Sequence, residues 1–131
     1  MDTSPEYIGM CKEAWEYLEF PLVIPRAYFT DVEDHVFIDR SGQYWYVPSP
    51  HHKYAFPLYR QDQLQELIEY DTETLIEEFT LWIFGGSCDV SFYGNIQTKF
   101  RTLEQLWLAF VMAERFQKTW DSDKKEWVKN D

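Results

Sequence analysis

Proline decides where this chain can be helical. Pro21 and Pro25 close off a first segment, and Pro48, Pro50 and Pro57 exclude regular helix from residues 48–59. The pyrrolidine ring removes a backbone N–H and clashes with the turn before it. From Arg60 to Phe84, by contrast, neither proline nor glycine interrupts the chain. A length of 131 residues fits one domain. Within it the sequence predicts an N-terminal helix and linker over 1–25, a small sheet over 26–48 and a helical part over 60–131.

The apolar spacing fills in this outline. Between Glu6 and Glu19, Ile8, Cys11, Trp15 and Leu18 follow offsets of 3, 4 and 3, one face of a helix that Gly9 weakens. Tyr28–Thr30, His35–Asp39 and Tyr44–Val47 read as short strands, the last two joined by a turn at Arg40-Ser41-Gly42-Gln43. Residues 48–59 read as a loop. Asp62 followed by Gln65 gives a capping-box start for one long helix to Phe84, bent near Asp71, or restarted there with Asp71 as a cap. Gly85-Gly86 would end it. Val90, Phe92 and Ile96 fit a strand or a covering loop equally well. Thr102 and Gln105 open a last helix through Leu106, Phe110 and Val111, and a tail carrying Trp120 and Trp127 is expected to dock. The predicted class is α+β: a small antiparallel three-stranded sheet packed against a long helix and a C-terminal helix.

Two features of composition bear on function. Trp, Tyr and Phe number 6, 9 and 10, and each such side chain covers about 150–250 Å². A domain of this size cannot hide them all, so some are expected at the surface, where Tyr and Trp mark interfaces and ligand grooves. The formal net charge is −11, and the excess is uneven: residues 1–98 hold 17 acids against 5 bases, residues 99–131 hold 6 against 7. Such a field repels a nucleic-acid backbone and favours basic protein partners. No apolar run is long enough to span a membrane. The opening residues lack the basic-then-apolar pattern of a signal peptide, which predicts a reducing cytoplasm and free thiols at Cys11 and Cys88.

The catalytic inventory is thin. There is no phosphate-binding glycine loop, no nucleophile elbow and no HExxH, CxxC or EF-hand spacing. The sequence therefore predicts no enzyme, no catalytic residue and no cofactor. His51 and His52, joined by Cys11 and Cys88, would supply a tetrahedral donor set for zinc, but adjacent histidines on extended chain point apart, and no metal site is expected. Glu66, Glu69, Glu73 and Glu77 step by 3, 4 and 4. On a continuous helix that spacing gives one carboxylate face, either a solvated surface or a protein-binding rod that imitates a phosphate backbone. As the alternative, Trp45, Tyr46, Tyr54 and Tyr59 are candidates to line a site for an aromatic or nucleoside-like molecule.

Three blocks carry a resemblance: Met10-Cys11-Lys12-Glu13-Ala14, Arg60-Gln61-Asp62-Gln63-Leu64-Gln65-Glu66, and Glu104-Gln105-Leu106-Trp107-Leu108-Ala109-Phe110-Val111-Met112 with Trp120. In these blocks the chain resembles uncharacterised small proteins encoded in phages and prophages, mainly of Gram-positive bacteria. That set has no assigned activity, so no site residue carries over. The resemblance implies a genomic setting in which small accessory proteins bind and block a host protein, such as a nucleic-acid-binding or defence protein.

Overall fold

The computed structural model describes residues 1–20, 24–29, 33–49, 51–83 and 100–129. Helix α1 spans Pro5–Leu18. Ser4 caps it, its hydroxyl accepting the Tyr7 N–H at 3.2 Å, and Pro5 sits in the first turn, where a missing N–H costs nothing. Glu19 ends it in the left-handed region at φ 52°. The buried face is Tyr7, Met10, Cys11, Ala14 and Leu18. Ile8 and Trp15, expected at the centre of the apolar stripe, lie at its half-buried margins.

The sheet has four antiparallel strands and not three, in the order β1-β4-β3-β2. These are β1 (Ile24–Pro25), β2 (His35–Ile38), β3 (Tyr44–Val47) and β4 (Tyr54–Leu58). The hairpin β2–β3 forms about the expected turn, pairing Val36 with Tyr46 and Phe37 with Trp45. Two expectations need correction. Residues 48–59 are not all loop, because Tyr54–Leu58 joins β3 through Tyr44–Leu58, Trp45–Pro57 and Tyr46–Phe56. Among the described residues β1 pairs only with Tyr54 and Ala55, so no described residue on that side calls for the N–H that Pro57 lacks. Tyr28–Thr30 is not a strand: Arg26–Tyr28 forms a single 3₁₀ turn, with Thr30 outside the described residues. The buried Arg26 holds that turn, its Nε donating to the Pro48 carbonyl at 2.7 Å and its Nη1 to that of Phe29 at 2.6 Å.

The long helix is two helices, α2 (Gln61–Glu66) and α3 (Thr72–Ile83). Asp71 restarts the second by accepting the Thr74 N–H at 2.8 Å, so the capping signal overrides the unbroken apolar period. Its proposed Gly85-Gly86 stop, Cys88, and Val90, Phe92 and Ile96 lie outside the described residues. Helix α4 (Leu103–Phe116) runs through the core with Gln105 and Trp107 to Met112 buried. Thr102 caps it as expected, accepting the Gln105 N–H at 3.2 Å. The tail forms a second, two-stranded sheet, β5 (Lys118–Asp121) paired with β6 (Glu126–Lys129). Its Trp120 and Trp127 rings lie 5.1 Å apart and are buried.

The main core joins α1, α4, Leu64 of α2, Ile68 just beyond it, Leu58, Tyr59 and this tail, and α3 leans on it through Phe79, which stacks on Trp107 at 3.9 Å. A small second cluster of Phe29, Trp45, Val47 and Ala55 fills the other face of the sheet. Among the described residues, no helix is long and apolar enough to cross a membrane.

Candidate functional site

The break between α2 and α3 redistributes the four glutamates. Glu66 ends α2, Glu69 lies in the connecting turn, and Glu73 and Glu77 ride on α3. All four are exposed, and none forms an ion pair among the described residues. Glu66 and Glu69 meet on the wall of a groove of about 410 Å³, where the α2–α3 corner faces the C-terminal end of α4. Leu67 and Ile68 form its apolar part, and α4 adds Glu114 and Arg115. The Tyr70 hydroxyl donates to Glu114 Oε2 at 3.1 Å, and this bond to a carboxylate raises the phenol above its ordinary range. Glu73 and Glu77 are not on that wall. Glu114 and Tyr70 were not legible as members, since 44 residues separate them and only the packing of α4 brings them together.

The four aromatic candidates do not converge on one cavity. Trp45 is buried in the small cluster beneath the sheet, and its indole N–H donates to Asp39 Oδ2 at 3.0 Å. Tyr46 points to the opposite face, as strand alternation requires. Its hydroxyl donates to Asp34 Oδ1 at 2.6 Å. Burial first, and this bond second, push its phenol up to about 12. Tyr54 is exposed at the start of β4. Tyr59 is wholly buried in the main core, and its hydroxyl has no hydrogen-bond partner among the described residues.

Tyr46 lines a second groove, of about 500 Å³, between α1 and the open face of the sheet. Ile8, Gly9 and Lys12 of α1 form one wall, with Asp34, Pro48, His52 and Phe56 opposite. Lys12 Nζ stands 5.7 Å from the Phe56 ring centre, and the His52 ring meets Phe56 edge-on at 6.2 Å. Asp34 adopts a left-handed φ of 52°, a conformation aspartate accepts more readily than most residues.

The thiol and imidazoles do not assemble. Cys11 is fully buried, and burial pushes its thiol up to about 12 despite hydrogen bonds involving Tyr59 and Tyr7. Such a thiol is a poor nucleophile and a poor ligand. His51 and His52 are exposed. Among the described residues, no three His, Cys, Asp or Glu side chains are placed to hold a metal ion. No protein-family model, curated protein or solved structure matches this chain.

Proposed function

We propose that this chain is a non-enzymatic acidic interaction module whose groove at the α2–α3 corner takes a basic segment of another protein, in the phage or prophage setting that its sequence resemblance implies. The observation that carries the reading is the meeting of Glu66, Glu69 and Glu114 on one concave surface with an apolar floor at Leu67 and Ile68. A lysine or arginine side chain is the natural occupant: its methylenes cover the apolar floor and its head meets the carboxylates. Glu114 lies in the last turn of α4, where the carbonyl end of the helix adds negative potential. Arg115 on the same wall limits the groove's excess to two charges, so affinity depends on where the carboxylates stand and not on their number alone. A basic nucleic-acid-binding or defence protein of the host is the partner class that fits.

The test compares two variants of equal net charge, Glu66→Gln with Glu69→Gln against Glu73→Gln with Glu77→Gln. Each is titrated with an oligo-arginine peptide at low and at physiological salt. Wild-type binding should weaken as salt rises, because exposed charges are screened within about 10 Å at 0.1 M. The Glu66/Glu69 variant should lose about tenfold in affinity, and the Glu73/Glu77 variant much less. Equal losses in the two variants would show that net charge alone attracts the peptide, and that the groove is not its seat.

A further inference from the structure

Gly9 has no packing explanation among the described residues. It sits inside α1, where glycine costs more backbone entropy than any other residue. It does not take a left-handed φ, and a Cβ added to it would meet nothing within 4 Å. Neither a turn nor a close packing contact among the described residues requires it. What its bare backbone does is leave the wall of the 500 Å³ groove flat between Ile8 and Lys12.

From this we infer that the groove between α1 and the sheet is a small-molecule site, and that its ligand is a nucleoside monophosphate. Three requirements lead to that class. The flat helix wall at Gly9 and the Phe56 ring opposite it suit a planar aromatic group once the exposed Lys12 head, 5.7 Å over that ring, swings to the ligand's anion. Asp34 uses one carboxylate oxygen on the Tyr46 hydroxyl, and its remaining acceptor capacity suits the ring N–H and amino donors of a base. Lys12 forms no ion pair among the described residues, and with the His52 ring it offers donors to an anion. A flat heterocycle with N–H donors, carried on a short linker to an anionic group, satisfies all three. The volume falls within the roughly 300–1,000 Å³ of small-ligand pockets. Asp34 also makes the site selective, since it repels an anion placed at the wrong end. The site is separate from the acidic corner, and either proposal stands if the other fails.

The experiment titrates the full chain with AMP, GMP, CMP and UMP, and with the four uncharged nucleosides, reading amide and indole NMR shifts. At least one monophosphate should bind saturably in the millimolar range or tighter, more strongly than its nucleoside, with shifts at Gly9, Lys12 and His52. Lys12→Met should weaken it about tenfold by removing a charge-assisted bond. Gly9→Leu should abolish it by filling the groove, while thermal unfolding confirms that the variant remains folded, since leucine is a better helix former than glycine. Absence of saturation by all four monophosphates would overturn the inference, as would undiminished binding to folded Gly9→Leu.

Discussion

Two antiparallel hairpins in this molecule use the same local device and pack into different clusters. In each, an aspartate at the exit of the first strand gathers the N–H groups of the turn. Asp39 accepts from Ser41 and Gln43 at 2.8 and 3.0 Å, and Asp121 from Asp123 and Lys124 at 3.0 Å each. The difference lies in the indoles. The N–H of Trp45 turns back to Asp39 of its own hairpin, six residues away. That of Trp120 donates to Glu6 Oε1 at 2.8 Å and that of Trp127 to the Met10 carbonyl at 3.1 Å, both on α1. The tail hairpin is consequently fastened to the core, whereas every residue of β2 is exposed, Phe37 at 43% and Ile38 at 52%. Aromatic content determines how much apolar area a chain must place. A distant partner for the indole N–H ties the tail hairpin to the main core, whereas Trp45, equally buried at 3%, lies in the small cluster of its own sheet.

The largest test of that contrast is a pair of truncations. Trp127→Ala removes a 5%-exposed ring from the main core and should cost about 3–5 kcal/mol, as for other buried aromatics. Phe37→Ala removes a half-exposed ring whose aromatic neighbour is Phe29, with ring centres 5.4 Å apart, and should cost about 1 kcal/mol. Urea unfolding monitored by far-UV circular dichroism measures both. Similar costs for the two would break the comparison, since they would mean that β2 is covered in solution.

The same contrast explains what was legible beforehand. The β2–β3 hairpin and α4 with its Thr102 cap rest on local signals, a turn glycine, a capping hydroxyl and a helical period, whereas the docking of the tail was legible only from its two tryptophans. The misreadings come where a long-range partner overrides a local rule. Pro57 helped mark residues 48–59 as loop, yet Tyr54–Leu58 pairs with β3 all the same. The unbroken run from Arg60 to Phe84 read as one helix, yet the Asp71 cap wins over continuity. The buried Arg26, whose guanidinium holds two carbonyls, had no sequence signature at all. At the candidate sites the sequence supplied Glu66, Glu69, Tyr46 and His52 as single residues. Their companions Glu114, Lys12, Asp34 and Phe56 come from other elements, and packing alone unites them.

Two tyrosines on the α1 side of the core sharpen the comparison at intermediate size. The Tyr7 hydroxyl donates to the Tyr59 carbonyl at 2.6 Å in a fully buried setting, and burial raises its phenol well above the ordinary range. Tyr7→Phe leaves that carbonyl short of a donor and should cost about 1–2 kcal/mol. Tyr59→Phe should do the reverse and stabilise by about 1 kcal/mol, because it removes a buried hydroxyl that has no partner among the described residues. Opposite signs in thermal unfolding are the expected result. A loss of stability in Tyr59→Phe would mean that the hydroxyl is bonded in solution.

The smallest effect is the most specific, because acid should loosen the two hairpins by separate routes. Glu6 holds the tail: hydrogen bonds from Lys125 and Trp120 lower its carboxyl below the ordinary 4.5. Asp39 holds the β2–β3 turn: hydrogen bonds from Ser41 and Trp45 lead the causes that lower it from 3.8 to about 2. Both are depressed carboxylates, so each contributes stability that is present above its unfolded value and lost as pH falls through its folded value. For Asp39 that window runs from 3.8 down to about 2. Glu6 should begin to release Trp120 below 4.5, before the β2–β3 turn opens. The three indole N–H signals report the order directly in an NMR pH titration. Trp120 should shift first and Trp45 last, and Asp39→Asn should abolish the Trp45 transition while leaving that of Trp120 in place. Simultaneous movement of both indoles would mean that the hairpins unfold as one unit, and the distinction between local and distant anchoring would fail at its most sensitive point.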